Sequence, residues 1–433
     1  MSDELSPLAR VAAETIERHG LAASDAPVLL MVSGGSDSTA LAYVARELHE
    51  AGLIGSLGML HVNHRLRGED ADADARFTEE LAELLEIPLF MYEIDVAARA
   101  ARAGGNIEAV ARHERYLAAN EALRGLCRRA GAPISDGRIF TAHTADDRVE
   151  SFYMRSIVGT GPGGFRAMRY ENGPVARPLL DAGRDELRAY LATRERSGKP
   201  MACDAQGNLW REDATNAHTD QFRAYVRHEI VPRAKARNAR LLGTLGRSMN
   251  LIADEDDYLE SLAQTVAQRC IVWVEGNSSA AVDTVRSSSR ADVSRETSAF
   301  ASGGVADADG PDGGVADMVE PSNREDVSRE TFSFETSGKT DGASAGFTLS
   351  PAFSEEPLVL RRRACFTALG KLLGPNVRVE NAAVAAVLAA FDDAGKPKSG
   401  YVTNIQGNLA VSANKRGVRV EPMATFRARR KRC

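Results

Sequence analysis

The chain has 433 residues, more than one compact core usually holds; its 43% apolar content is ordinary for a globular protein, and its net charge is −6. It has no run of about 18 apolar residues, and Met1–Arg10 carries acids and lacks an apolar signal core, so neither a membrane span nor an export signal is read. The five cysteines, Cys127, Cys203, Cys270, Cys365 and Cys433, are odd in number and form no CxxC pair. That argues against a disulfide framework, a zinc site or a cysteine-held iron–sulfur cluster, and points to a reducing cytoplasm.

Residues 7–20 have the periodicity of an amphipathic helix. Val28-Leu29-Leu30-Met31-Val32 is a short apolar run of the kind that forms a buried parallel strand. A Ser/Gly loop follows, then a helix over Asp37–His49, a strand over Leu57–Val62, a helix over Asp72–Leu85 and a strand over Pro88–Ile94. Ile107–Arg129 reads as a long helix, Arg138–Ala142 as a fourth strand and Ala145–Ile157 as another helix. Such alternation predicts an α/β fold, a Rossmann-like parallel sheet with helices on both faces. Arg184–Thr193 reads as a short helix, and residues 219 to about 272 as helical with a break near Pro232.

Residues 278–350 change character: Ser, Gly, Asp and Thr dominate, and an octapeptide recurs imperfectly at 290–297 and 324–331. Too little apolar surface is present to offset chain entropy, which predicts a disordered insert, with a docking segment as the alternative. From Glu275 to Glu356 there are 16 acidic and 6 basic residues, so the rest of the chain is net +4. Its cations cluster at Arg223–Arg247 and Arg427–Arg432, and local charge governs contact with a phosphate backbone more than the total does. Beyond the insert, Leu358–Leu373 and Asn381–Phe391 read as helices and 400–420 as paired strands turning at Gly407-Asn408. These form a small α+β C-terminal domain.

Ser33-Gly34-Gly35-Ser36-Asp37-Ser38 stands between a strand and a helix. Two glycines admit an anion close to the backbone, the helix start offers N–H groups and a favourable dipole, and Asp37 could hold Mg²⁺ among phosphates. A serine-capped helix after a tight turn is the plain alternative. The loop lacks the GxxxxGK[ST] of Walker type and matches the SGGxDS signature of PP-loop ATP pyrophosphatases. Further motifs follow in order: His61-Val62-Asn63-His64; Gly105-Asn106-Ile107-Glu108-Ala109-Val110-Ala111-Arg112-His113-Glu114-Arg115-Tyr116; Thr141-Ala142-His143-Thr144-Ala145-Asp146-Asp147-Arg148-Val149-Glu150; Gly159-Thr160-Gly161; Arg177-Pro178-Leu179-Leu180; Trp210-Arg211-Glu212-Asp213-Ala214-Thr215-Asn216; and Arg227-His228-Glu229-Ile230-Val231-Pro232. In this order and spacing they resemble the tRNA(Ile)-lysidine synthase family, densely over 28–232 and more weakly over 358–420. Where the family usually has Arg-Asn-x-Ile-Arg-His-Glu, this chain has Arg223-Ala224-Tyr225-Val226-Arg227-His228-Glu229, and 192–210 carries extra polar residues.

The resemblance implies a PP-loop ATP pyrophosphatase domain at 1–218, a helical tRNA-contacting segment at 219–277 and a tRNA-binding α+β domain at 351–433; the insert at 278–350, read from composition, has no counterpart in the family pattern. It implies that ATP adenylylates the C2 oxygen of the wobble cytidine in the CAU anticodon of tRNA(Ile), and that free L-lysine then displaces AMP. Ser33, Gly34, Gly35, Ser36, Asp37, Ser38 and His61 would bind the nucleotide. Asp37, Arg112, His143 and Asp147 would be catalytic, with Mg²⁺ on Asp37 and Asp147. Arg223, Arg227 and Arg237 would touch tRNA.

Each role has a plainer counterpart. Arg112 could form an i,i+4 pair with Glu108; His143, Asp146 and Asp147 could simply cap a helix; His61 could be a satisfied core histidine; and the basic run could be a solvated face. Glu150 could face the cleft or solvent. A homodimer is left open. Competing functions are a tRNA thiolase, disfavoured by the lack of paired cysteines, an amidotransferase-type synthetase, and a non-catalytic nucleotide-gated RNA-binding protein.

Overall fold

The computed structural model describes residues 5–65, 68–103, 107–212, 222–275, 344–374 and 377–431. These divide into two compact units that meet in sequence at Asp254 and Glu255.

In the first unit, the apolar run becomes β1 (Val28–Met31), buried and paired in parallel with β2 (Leu57–Asn63) on one side and β4 (Arg138–Phe140) on the other. β3 (Leu89–Glu93) extends the sheet beyond β2, and a short hairpin, β5 (Glu171–Asn172) with β6 (Val175–Ala176), extends it beyond β4, giving the order β3-β2-β1-β4-β6-β5. Among the described strands of this sheet, only the β5–β6 pair is antiparallel. The helices are α1 (Pro7–His19), α2 (Ser36–Glu50), α3 (Glu69–Leu84), α4 (Val96–Ala103), α5 (Ile107–Ala130), α6 (Ala145–Val158) and α7 (Arg184–Arg196). α2 is buried without a break from Thr39 to Ala45, because Ala, Leu, Tyr and Val there pack with Leu30, Met59 and Leu187. The chain leaves β1 toward β2 and returns to the far side of β1 as β4. The sheet order therefore reverses between β1 and β4, and a crevice opens at the carboxyl ends of those strands.

Past residue 221, α8 (Phe222–Tyr225), a π turn (Val226–Ile230) and α9 (Val231–Arg237) form one helical stretch, followed by α10 (Leu241–Cys270). The expected break near Pro232 is thus a wider turn within a helix, with the chain interruption at 238–240.

In the second unit, α11 (Leu358–Leu373) and α12 (Asn381–Leu388) pack on a sheet ordered β7-β8-β11-β10-β9. Its strands are β7 (Ile271–Glu275), β8 (Ser344–Leu349), β9 (Val402–Ile405), β10 (Leu409–Asn414) and β11 (Gly417–Pro422), and α13 (Met423–Arg430) closes the unit. Gly407 and Asn408 both take left-handed φ, +70° and +54°, in the three-residue connection between β9 and β10.

Two expectations are corrected. The helical segment expected over 219–277 ends at Cys270: Ile271-Val272-Trp273-Val274 is β-branched and aromatic, and it pairs as a strand. The polar stretch expected over 278–350 reaches too far, because Ser344–Leu349 pairs with β7 and β11. Residues 278–343 lie outside the described residues, as do the 218/219 boundary, Gly105-Asn106, Asp213–Asn216, Arg432 and Cys433. Among the described residues no helix is long and apolar enough to cross a membrane.

Candidate active site

The loop Ser33–Ser38 leaves β1 at the crevice. Gly34 has φ +87°, open to glycine at little cost, and its carbonyl accepts the Arg211 N–H at 2.9 Å. α2 begins at Gly35 without a side-chain cap, leaving its dipole end facing the crevice. The Ser38 hydroxyl is engaged inside the loop: it donates to the Gly35 carbonyl at 3.1 Å and accepts from the Ser33 N–H at 3.2 Å. Ser36 Oγ donates to Asp37 at 3.0 Å, and Ser33 is exposed at the rim. His61 is buried beneath, bonded through Nδ1 to the Val32 carbonyl at 3.0 Å; burial lowers its pKa, so it braces the loop as a neutral ring. Its placement fits the core-histidine reading.

At the end of β4, Thr144 caps α6. Asp147 Oδ2 accepts its N–H at 2.8 Å and its hydroxyl at 3.0 Å, closing a capping box. This turns Asp146, Asp147 and, one turn on, Glu150 into the crevice, where all three are buried. Glu150 faces the cleft, not solvent.

A single guanidinium joins the two loops. Arg184, the first residue of α7, reaches Asp37 at 3.2 Å, Asp147 at 3.1 Å and Glu150 at 3.5 Å. From the 222–237 stretch, Arg223 bonds Asp147 at 3.1 Å and Glu150 at 3.0 Å, Arg227 bonds Glu150 at 2.7 Å, and Lys235 bonds Asp146 at 2.6 Å. Among the described residues, four carboxylates thus meet four cations. Arg223 and Arg227, expected to contact tRNA, are paired with these carboxylates, and Arg237 is exposed on α9.

The electrostatics follow from burial and these partners. Burial raises the Asp37 pKa, and Arg184 only partly opposes it. Burial works the same way on Asp147, but Arg223 and Arg184 outweigh it and hold that carboxyl below the usual range. Burial would loosen the Arg184 proton, yet Asp147, Asp37 and Glu150 bind it more tightly than in a free arginine.

His143, hydrogen-bonded to Thr141 at 2.9 Å, has its pKa pushed well down, chiefly by burial and then by Arg177, with Arg112 adding to the effect. Arg112 also lies 5.6 Å from the Tyr116 ring centroid. Because the folded-state pKa of His143 is depressed, the neutral ring contributes stability that is complete above about pH 6.5 and is lost as pH falls below it. His143→Gln should therefore flatten the loss of stability on acidification, by up to about 1.4 kcal/mol per pH unit. His61 and His19, lowered in the same direction by burial, leave a residual slope. Urea midpoints at several pH values check this; a slope identical to the parent's would place the His143 titration in solvent.

Sequence reasoning missed Arg184 and did not single out Lys235. Arg184 left a signal: a cation at the first position of a helix opposes the dipole and needs an acidic partner. Asp37, Asp147 and Glu150 supply it, and Asp146 accepts the Arg184 backbone N–H at 2.8 Å. Lys235 could not be separated from its basic neighbours by sequence.

Residues 8–234 match the family model described as PP-loop domain. The tRNA(Ile)-lysidine synthase of Geobacter sulfurreducens is 32% identical over 271 residues, 62% of this chain and 53% of that protein. The tRNA(Ile)-lysidine synthase of Thermus thermophilus is 35% identical over 238 residues, 55% of this chain and 41% of that protein. The chain spans about half the length of the curated relatives it matches. Among solved structures, a U34-tRNA thiolase from Methanococcus maripaludis, determined with its [4Fe-4S] cluster, aligns with TM-score 0.42 at 15% identity, over 57% of this chain and 78% of that one.

Proposed function

The chain belongs to the PP-loop domain family, and on that footing we propose that it is an ATP-dependent, cytoplasmic RNA-modifying ligase that attaches free L-lysine to C2 of the wobble cytidine in the CAU anticodon of tRNA(Ile). The observation that carries the reading is the uncapped start of α2, with its Ser/Gly loop, facing Asp147 through Arg184. The likeness to tRNA(Ile)-lysidine synthases supports the choice of substrate.

In this reading the helix start and the Ser33 and Ser36 hydroxyls receive the ATP phosphates, and Arg184 and Arg112 stabilise charge as pyrophosphate leaves. Among the described residues no group of three or more His, Cys, Asp or Glu is arranged to hold a metal unaided. Asp37 and Asp147 nonetheless supply hard oxygen donors of the kind Mg²⁺ takes alongside substrate phosphates. The fit is electrostatic as well. Arg184, Arg223, Arg227 and Lys235 are already engaged with the four carboxylates, and burial raises the Asp37 pKa despite Arg184, so a further cation beside Asp37 would be favoured. When bound, Mg²⁺ would neutralise phosphate charge. Asp147, kept ionised, would hold and orient the lysine ammonium; desolvation in the crevice would lower the ammonium pKa, so that its proton passes to solvent before the neutral amine attacks C2 and AMP leaves. His143, held neutral, would hydrogen-bond rather than shuttle protons.

A thiolase is not favoured: among the described residues Cys127, Cys270 and Cys365 are buried, and burial raises the pKa of the partly exposed Cys203 thiol. The test is to incubate the protein with ATP, labelled lysine and tRNA transcripts carrying CAU or another anticodon. Label in the CAU anticodon loop with pyrophosphate release is expected; ATP binding without RNA-dependent pyrophosphate release would favour a non-catalytic RNA-binding protein. Arg237, exposed on α9, is proposed to meet the RNA backbone. Arg237→Ala should lower the slope of log affinity against log salt by roughly 0.7–0.9, and an unchanged slope would remove Arg237 from the interface.

A further inference from the structure

We propose that Pro232 is a positioning residue: by forcing the π turn at Val226–Ile230, it brings Arg223, Arg227 and Lys235 onto one face of the 222–237 helical stretch, where each meets an acid of α6. Proline has no N–H, so it cannot close the bond that a regular helix would make to the His228 carbonyl. The chain closes a wider bond instead, from the Val231 N–H to the Val226 carbonyl, five residues back. A turn of this kind behaves as one extra residue absorbed into a helix.

The extra residue decides what the helix presents. Arg223 and Arg227, four apart, share a face in any regular helix. Lys235 is eight residues beyond Arg227, which at 3.6 residues per turn rotates it by about 80°. With one residue absorbed, the effective separation is seven, and the offset shrinks to about 20°. That is the arrangement found: Arg227 bonds Glu150 at 2.7 Å while Lys235 bonds Asp146 at 2.6 Å. The two acids lie on the first turns of the same helix. In an uninterrupted helix, either Lys235 would leave Asp146 or the arginines would leave Asp147 and Glu150. Asp146 also accepts the backbone N–H of Arg184 at 2.8 Å, so the lysine steadies the acid that fixes the start of α7. Pro232 itself is exposed and acts through these others.

The test is Pro232→Ala. Alanine favours a regular helix, so the variant folds and loses the cause of the wide turn. Coupling between Lys235→Met and Asp146→Asn is measured by urea unfolding, as a double-mutant cycle in the parent and in the Pro232→Ala background. Coupling is expected in the parent, lost in Pro232→Ala and restored in Pro232→Ala with Glu229 deleted, which removes one residue and returns the two faces to register. Glu229 is a suitable deletion because its side chain pairs with Arg233 at the surface. Pyrophosphate release should fall roughly tenfold or more in Pro232→Ala, with the ATP KM little changed because the phosphate loop is untouched, and should recover in the deletion variant. This second arm rests on the proposed reaction. A parent protein without turnover would defeat that reading and leave the coupling arm standing. Coupling that persists in Pro232→Ala, or that the deletion does not restore, overturns the role of Pro232.

Discussion

Asp37→Asn is expected to slow ATP-dependent pyrophosphate release by about 10²–10³ while leaving the melting temperature unchanged or slightly raised. Asp37 is the second residue of α2, and its carboxylate is 3.2 Å from Arg184 and accepts the Ser36 hydroxyl at 3.0 Å. Burial raises its pKa despite that arginine, so the folded protein holds this charge against its own desolvation cost. Asparagine keeps the shape and some hydrogen-bonding capacity and removes the cost. Arg184 keeps Asp147 and Glu150. On the proposed reaction, a member of the loop that costs stability has its use in chemistry, so activity and stability should separate. Single-turnover pyrophosphate release and a melting curve on one preparation decide the matter. Release within about threefold of the parent, far inside the range for loss of a charge partner, would move Asp37 out of the machinery.

Glu150→Gln should act in the other way, through the fold. Its side chain is 1% exposed and receives Arg184, Arg223 and Arg227. Removing the charge leaves these guanidiniums with Asp147 and Asp37 as their remaining acids in the cluster. Loss of one partner from a buried ion pair costs about 3–5 kcal/mol, and the partial exposure of the arginines places the expected cost near the lower figure. For a unit of this size that lowers the melting temperature by roughly 6–12 °C. Glu229→Gln is the contrast: it breaks a surface i,i+4 pair with Arg233 and should cost under about 0.5 kcal/mol. Equal melting temperatures for the two variants would mean the cluster is solvated and weak.

The α/β sheet, the Ser/Gly loop ahead of α2 and the family were legible in the sequence. Each is written in local pattern: the continuous apolar run of β1, the Ser/Gly signature before α2, and motifs whose order does not depend on how distant segments meet. It also brought Asp37, His143 and Asp147 forward, because they lie at the carboxyl ends of strands that must be parallel neighbours. It misjudged elements whose pattern is short or mixed: β7 follows a long helix with no break residue between them, and β8, with a few apolar residues beside Gly and Ser, has β7 and β11 to pair with on its two sides. Tertiary structure alone decided which charges face which. A run of arginines reads the same whether it is turned to solvent or to acids. Only the packing of the 222–237 stretch against α6 sends Arg223, Arg227 and Lys235 to buried carboxylates, and only the approach of α7 to α2 sets Arg184 between Asp37 and Asp147. Ion pairs between residues 37 to 147 positions apart are fixed by burial and distance, which a linear sequence does not carry.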